Sequence, residues 1–455
     1  MSQRETVGRS PITPVYTQQG PNTPIDLGNH NVRVHLGDHC WDSVAQITMT
    51  FLPDQGIRLR VPFNQNEPNA AFQVFASTVW DGGIVLTDRN VEFEVLVASW
   101  GGDFNGVELI PTRSVVATSP PAKELTSATF HLFNIPNMYG PDDVIVARDN
   151  GWWLCSRTIL RAQGWHLEIA AFDRTNDLNK QLKAQGGFVL THVGTITRED
   201  AAAFSSEELT TILSALYYFL SFSLGRWIGV GFPVAAGTDG TCSFEEWGLC
   251  AINSGQWNGM SWFDSHHAEL LSEVFPGFLK LWTSDLWKQP LREAMYFYVA
   301  ANCRGVGIGV DTGLVLAQSS LERLAWTYCV CDRKMVSKEA FQSRGLSASN
   351  KLRLLITSLQ IPTSIPVELT ALTAASAAQR GKKQQDGPDA ITSIRNEIVH
   401  PEASGEVSHE CFVESWNLAL WYIDVVFLRL CGHSGKYGNR LSQRWTGSIE
   451  DMPSL

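Results

Sequence analysis

Ser205-Ser-Glu-Glu-Leu-Thr-Thr-Ile-Leu-Ser-Ala-Leu-Tyr-Tyr-Phe-Leu-Ser-Phe-Ser-Leu-Gly225 is where the sequence changes its period. Before it, from about residue 30 to 200, apolar and polar residues alternate. Val32-Arg-Val34-His-Leu36, Ile57-Arg-Leu59-Arg-Val61, Val91-Glu-Phe93-Glu-Val95 and Trp165-His-Leu167-Glu-Ile169 are examples. Alternation puts successive side chains on opposite faces of a strand. Turn signals separate the runs: Asp81-Gly-Gly83, Gly101-Gly-Asp103, Pro120-Pro121 and Asp149-Asn-Gly151. These features predict an antiparallel β-sandwich or barrel-like domain over 28–202. The quoted stretch itself predicts a helix, with hydroxyls and acids where an N-terminus wants them. A strand-like interlude follows at Trp227–Ala236 and Phe244–Ile252. Helices are then expected at about 264–282, 285–302, 312–331, 348–359, 388–399 and 408–431. The fold class is therefore α+β, an N-terminal β domain followed by an all-α bundle. Residues 203–309 read as a mixed, mainly helical connection, and 310–432 as the helical domain. The proline-rich 1–27 and the polar 433–455 read as a loosely ordered tail and a C-terminal tail. No repeat recurs at a fixed period.

The chain has 455 residues, 44% hydrophobic, enough to bury a sizeable core. A formal net charge of −11 excludes a protein that coats nucleic acid through a generally basic surface. Charge is uneven, however. Residues 321–400 hold eleven basic and seven acidic side chains, a local +4 suited to a discrete anionic ligand. A solvated helix face beside a Lys382-Lys383 loop accounts for the same count. Nine cysteines without a C-x-x-C pair indicate free thiols rather than a zinc ribbon or disulfide framework. The first thirty residues have no apolar run of the kind a signal peptide carries, so a cytoplasmic protein is expected. Leu209–Gly225 has 17 residues, no charge and five Ser or Thr hydroxyls. It reads as a buried core helix rather than a membrane span.

The stretch with chemistry is Asp386-Gly-Pro-Asp-Ala-Ile-Thr-Ser-Ile-Arg395-Asn396-Glu-Ile-Val-His400-Pro401. Pro388 suits the first turn of a helix, and Pro401 stops it near His400. At 100° per residue, Ile391, Ile394 and Ile398 form one apolar stripe, and Arg395 falls in the same sector. A guanidinium there must meet an acid, a phosphate or another subunit, because burying it unpaired is costly. The R-x4-H spacing alone is not specific, since Arg161 and His166 share it in strand-like sequence.

In that context, Arg395-Asn396-x3-His400 resembles the R-N-x3-H signature of HEPN ribonucleases. Leu314 to Ala325, with Glu322 in an L-E-x-L-A element, resembles the first HEPN helix. Ser349-Asn-Lys351-Leu-Arg353 resembles the second, and Tyr422–Leu430 the last. The resemblance covers about 310–432. The β-rich first half resembles, in architecture only, that of abortive-infection HEPN proteins. The resemblance implies an endoribonuclease needing no metal or cofactor, in toxin or antiviral defence. The RNA 2′-OH would attack the adjacent phosphate, with His400 as general acid/base, Arg395 clamping the phosphate, Asn396 positioning and Glu322 orienting. It implies RNA as partner, with Lys351, Arg353, Lys382 and Lys383 as backbone-binding cations. It further implies a homodimer through the helical domain, a phage or cellular trigger at the β domain, and no membrane. Two alternatives stand beside it: a non-catalytic HEPN module for dimerisation or nucleic-acid binding, and a β-domain ligand-binding protein with a structural helical half. Arg395 pairing internally with Glu322 or Glu397 would serve either of them.

Other constellations are weaker. His35-x3-His39-Cys40 lies in strand-like sequence, where such spacing does not gather ligands on one face. His266-His267 are adjacent and face apart. Gly305-Val-Gly-Ile-Gly-Val310 lacks the lysine and preceding strand of a phosphate loop and reads as a turn. Gly435 to Trp445 either stacks on RNA or packs against the bundle.

Overall fold

The period-two runs close on themselves. β1 (Thr6–Val7) is followed by six strands of an antiparallel barrel: β2 (Ile25–Leu36), β3 (His39–Thr50), β4 (Gly56–Pro62), β5 (Asp81–Leu86), β6 (Val91–Trp100) and β7 (Gly106–Pro111). Their order around the barrel is β2-β3-β4-β7-β6-β5, closed by β2 pairing with β5. Val32, Val34 and Leu36 point inward and are buried, while Arg33 and His35 face solvent. The computed structural model describes residues 6–7, 12–63, 80–100, 105–118, 124–148, 151–255, 260–302, 309–378, 386–399, 407–442 and 445–454.

The remaining β strands are β8 (Val115–Val116), β9 (Leu125–Phe133), β10 (Val144–Arg148), β11 (Gly151–Cys155), β12 (Arg157–Ala162), β13 (Trp165–Ala171), β14 (Leu190–Arg198), β15 (Gly229–Gly237) and β16 (Cys242–Trp247). Seven of them form one sheet, ordered β12-β13-β14-β9-β15-β16-β8. β1, β10 and β11 make a small side sheet. The sheet separates two cores. Along β9, Phe130 and Leu132 face the helices, and Phe133 faces the barrel. The domain boundary expected after residue 202 falls inside this sheet, because β15 returns to pair with β9 after an intervening helix. That pairing bridges about a hundred residues, and no local pattern announces it.

The helices are α1 (Thr175–Gln185), α2 (Ser206–Leu224), α3 (Glu269–Trp282), α4 (Lys288–Asn302), α5 (Val310–Trp326), α6 (Lys338–Gln342), α7 (Ala348–Ser358), α8 (Thr370–Ala378), α9 (Gly387–Val399) and α10 (His409–Leu430). α2 begins on the expected capping box. Ser205 Oγ accepts the Glu208 N–H, and Glu208 Oε2 accepts the Ser205 N–H at 2.9 Å. It ends at Gly225, whose φ of 65° is left-handed. Leu209, Ile212, Leu216, Phe219 and Leu220 are buried between the sheet and the neighbouring helices, so this is a core helix. α10 is long and apolar enough to cross a membrane by length and composition, yet 78% of its most apolar window is buried inside the protein. α5 runs into a π-helical turn, Thr327–Asp332, where one continuous helix was expected. Helix and sheet side chains share one apolar core, from Phe130 and Ile196 through Phe222 and Trp262 to Phe427. The molecule is thus mixed α and β, with a barrel-containing β-rich first half and a helical second half.

Neither end is loose where it is described. Residues 12–24 form a strap across the sheets, with Ile12 and Tyr16 buried. The prolines forbid regular structure there, but the apolar anchors still dock. Tyr16 donates its backbone N–H to His131 Nε2 at 3.0 Å and its hydroxyl to Glu245. Glu245 also receives Trp247 Nε1–H at 2.7 Å and pairs with Arg89. Burial pushes the Glu245 pKa up, yet the donated hydrogen bonds outweigh it and hold the carboxyl below its usual range.

The C-terminal segment packs on the bundle. Arg440 is buried and donates to Asp424 Oδ2 at 2.6 Å, Asn302 Oδ1 at 3.0 Å and Tyr298 Oη at 3.0 Å. Tyr298 in turn donates to Asp424 Oδ1 at 2.7 Å. β17 (Lys436–Tyr437) and β18 (Glu450–Asp451) pair over this site. His267 latches the same segment. Its Nδ1 lies 2.9 Å from Glu269 Oε1 and its Nε2 2.9 Å from the Gly447 carbonyl. Only the imidazolium donates to both. Partial burial lowers its pKa, but Glu269, the Gly447 carbonyl and Asp264 outweigh that and raise it overall.

Two outcomes follow from these contacts. Asp424→Ala strands a buried guanidinium and is expected to cost about 3–5 kcal/mol in denaturant unfolding. Arg440→Met combined with Asp424→Leu should cost distinctly less. A folded-state pKa raised above the unfolded one stabilises fully below about pH 6.5 and is lost as pH rises through the folded value. The melting-temperature lead of wild type over His267→Gln should therefore be full below about pH 6.5 and shrink as pH rises above it. A constant lead would contradict the latch.

Candidate functional site

Helix α9 is built at its N-terminus by a cap and an ion-pair clamp. Asp386 Oδ1 accepts the Asp389 N–H at 3.0 Å, satisfying one of the free first-turn donors. Gly387 donates its N–H to the Thr363 carbonyl at 2.7 Å. A Cβ at Gly387 would sit 2.3 Å from the Tyr422 hydroxyl, so only glycine lets α9 approach α10 this closely. Pro388 occupies the first turn, where its missing N–H costs nothing. Arg353 on α7 completes the clamp. Its Nε and Nη2 donate to Asp386 Oδ2 and Oδ1 at 2.7 and 2.8 Å, and Nη2 also reaches Asp389 Oδ2 at 2.8 Å. Hydrogen bonding to Asp386 holds the guanidinium above its ordinary pKa despite burial. The side chain read as a backbone-binding cation is thus spent on two carboxylates of its own chain. Lys351, on the same helix, lies 5.1 Å over the Phe341 ring.

α9 packs against α5, α7 and α10. Ile391 and Ile394 are buried in the main core, and Ile398 packs partly buried against it. The apolar stripe is therefore internal. Arg395 emerges from its edge, half-buried, and Nη1 donates to Asn396 Oδ1 at 3.3 Å. Its Nε is buried and has no hydrogen-bond partner. Thr392 Oγ1, one turn earlier on the same face, is also buried without a partner. Neither Glu322 nor Glu397 forms an ion pair with Arg395 among the described residues. Glu322 Oε1 instead accepts Gln318 Nε2–H at 2.7 Å along α5. His400, Lys382 and Lys383 lie outside the described residues. The arrangement brings Arg395 and Asn396 together on the last turn of α9. Sequence reading missed Thr392, although a hydroxyl one turn before an arginine on an apolar face was the available signal.

The remaining motifs do not gather into sites. His35 and Cys40 face each other across the β2–β3 hairpin, with Nε2 and Sγ 4.0 Å apart on an exposed surface. No group of three or more His, Cys, Asp or Glu side chains is arranged to hold a metal among the described residues. Burial pushes the His131 pKa down to about 4, which leaves it neutral with Nδ1–H donating to the Phe232 carbonyl at 3.1 Å.

Arg353→Ala leaves Asp386 and Asp389 without their cation at a part-buried helix start. The expected loss is about 2–3 kcal/mol of unfolding free energy. A change within about 0.5 kcal/mol would mean that the clamp does not hold α7 to α9.

Comparison with known proteins gives two domain matches. Residues 120–258 match the family model described as the YopA central domain, which takes in most of the seven-stranded sheet and α2. Residues 284–451 match the YopA C-terminal domain, from α4 to β18. No solved structure matches the chain. The chain is similar along nearly its whole length to the SPbeta prophage-derived uncharacterized protein YopA of Bacillus subtilis (strain 168), 26% identical over 428 residues that cover 92% of each chain.

Proposed function

We propose that the helical half is an HEPN-type endoribonuclease that needs no metal and acts at the C-terminal turn of α9. The observation that carries this reading is the Arg395 guanidinium, half-buried, with an Nε–H that no group accepts among the described residues. A buried donor without a partner costs about 1–3 kcal/mol, so a ligand that supplied an acceptor here would recover that cost. A phosphate oxygen is the acceptor that a guanidinium fork fits best. Asn396 stands beside it, and His400 follows within the next turn of sequence. In this reading the RNA 2′-oxygen attacks the adjacent phosphorus and the P–O5′ bond breaks, leaving a 2′,3′-cyclic phosphate. His400 moves the proton, Arg395 stabilises the charge on the phosphate, and Asn396 holds the phosphate or the ring. Glu322 acts on α5 as a more distant orienting group. The packing of α9 against α5, α7 and α10, and of α5 against α7 and α10, supports an HEPN-like bundle. The prophage origin of the similar protein supports a setting in phage conflict; such a protein would act in the cytoplasm. RNA would be the substrate, a second copy of the chain would complete the site, and the β-rich half would receive the trigger.

A second reading has one observation in its favour. Arg353 is committed to Asp386 and Asp389, which leaves the surface beside α9 less basic than its composition promised. That suits a non-catalytic module for dimerisation or binding.

RNA integrity in cells producing wild type, Arg395→Ala or His400→Ala separates the two. Loss of a general acid/base or of a phosphate clamp is expected to cut cleavage at least about 100-fold, with melting temperatures close to wild type. Intact RNA in cells producing the wild type, even under phage challenge, would favour the module.

A further inference from the structure

We infer that the connection between α5 and α7, residues 333–344, is a surface that holds the phosphate backbone of RNA. The choice of RNA rests on the ribonuclease reading above; the cationic surface itself does not. These twelve residues set Arg333, Lys334, Lys338 and Arg344 against one acid, Glu339, a net +3 on a chain of −11. All four cations are exposed, and none forms an ion pair among the described residues. The cations of α7 differ. Arg353 is spent on Asp386 and Asp389, and Lys351 lies over the Phe341 ring. Glu339 accepts from the Ser337 hydroxyl at the start of α6, with Lys338 near enough to feel its charge.

The backbone under these cations is held in a costly shape. α5 ends in the π-helical turn Thr327–Asp332, a rare form that recurs at functional sites. Lys334 follows with a φ of 51°, in the left-handed region that glycine or asparagine enters at less cost. The Arg333 N–H donates to the Tyr328 carbonyl at 2.8 Å, and the Met335 N–H to the Cys329 carbonyl at 2.7 Å. Ser337 Oγ caps α6 by accepting the Ala340 N–H at 3.2 Å. Phe341 is buried against Trp326, with ring centroids 5.4 Å apart. The cations therefore stand on an anchored segment. The Arg333 guanidinium lies 5.4 Å from the Tyr328 ring centroid and makes no side-chain hydrogen bond among the described residues.

The charge pattern selects the partner. Two guanidinium forks and two ammonium groups without carboxylates suit phosphates that repeat along a line. A flat anionic membrane would press the rest of an acidic chain against a like-charged surface, whereas a strand meets this connection alone. Met335 is the one large apolar side chain exposed in the segment, which gives a bilayer little to take up.

Fluorescence anisotropy of the full chain with a labelled 2′-O-methyl oligouridine tests the assignment. That RNA lacks the attacking hydroxyl, so binding is read without cleavage. Between about 50 and about 200 mM salt, the slope of log affinity against log salt should be about −2 to −3, as three or four phosphate contacts on a single strand require. Lys334→Glu with Lys338→Glu should weaken binding at least about tenfold and flatten the slope by about 1. Lys180→Glu with Lys183→Glu, on the exposed face of α1, should bind as wild type does. Circular dichroism melting checks that each pair folds. If the first pair does not fold, Arg344→Gln with Lys338→Gln decides, with the same weakening expected. No binding, affinity unchanged in the folded variants of 333–344, equal loss in the α1 pair, or capture by phosphatidylserine vesicles in place of RNA would each overturn the inference. Binding with this salt slope but no cutting of ordinary RNA would sink the nuclease and keep the surface. Cutting of ordinary RNA with affinity indifferent to the 333–344 variants would sink the surface and keep the nuclease.

Discussion

The buried pair of Arg440 and Asp424 is the contact on which the helical half most depends. Both side chains are almost wholly removed from water, at 2% and 1% exposure. Desolvating two ions costs several kcal/mol each, which a single contact does not recover. Here Asn302 and Tyr298 accept from the two Nη atoms, and Tyr298 donates to the second Asp424 oxygen, so every guanidinium nitrogen has a partner. Asn302 extends it by donating to the Gly225 and Met260 carbonyls at 2.7 and 2.9 Å. One chain of polar contacts thus links the C-terminal segment, α10, α4 and the end of α2. Because α2 also lies on the sheet, the helices are positioned relative to the β strands by these groups as well as by the apolar core.

The barrel is joined to the sheet by a second polar knot of the same kind. Glu245 on β16 gathers Tyr16 from the strap, Trp247 from its own strand and Arg89 from the β5–β6 turn. Both knots follow one rule: a buried charge is kept where several partners from distant segments meet it. Arg353 obeys the rule at the start of α9. Arg395, on the last turn of the same helix, departs from it at Nε. The proposed function rests on that contrast between an arginine paired within the protein and one whose Nε–H has no acceptor among the described residues.

Much of this was readable from sequence, for reasons that differ by element. The barrel strands declare themselves because one face is wet and the other dry. The capping box at Ser205 and the Pro388 start of α9 are local, so they needed no tertiary knowledge. The isoleucine stripe of α9 followed from helical spacing, but spacing left open whether another subunit or the chain's own core covers it, and the packing of Ile391 and Ile394 decides for the core. α1 escaped notice because only Leu178 and Leu182 are buried apolar residues on it. The return of β15 to the centre of the sheet escaped because strand pairing across a helix leaves no local trace. The N-terminal end was misread, because proline, glycine and polar residues usually mark solvated chain, whereas Tyr16 is buried against a partner more than two hundred residues away. At the other end, the alternative that 435–445 packs on the bundle holds: Tyr437 and Arg440 are buried there. Arg353 shows the same limit at the site. Its partner Asp386 lies 33 residues downstream, so the resemblance offered to RNA a side chain that the fold had already used.

The central functional claim is chemical, and the chemistry leaves a signature. Purified full-length protein incubated with RNA in excess chelator should cut it and leave 2′,3′-cyclic phosphate ends, detected by the requirement for phosphatase-type end repair before ligation. Cyclic phosphate ends that persist in chelator are the predicted result. RNA left whole by the folded protein, or cleavage that chelator abolishes and that leaves 5′-phosphate ends, would contradict attack by the 2′-oxygen at Arg395 and His400.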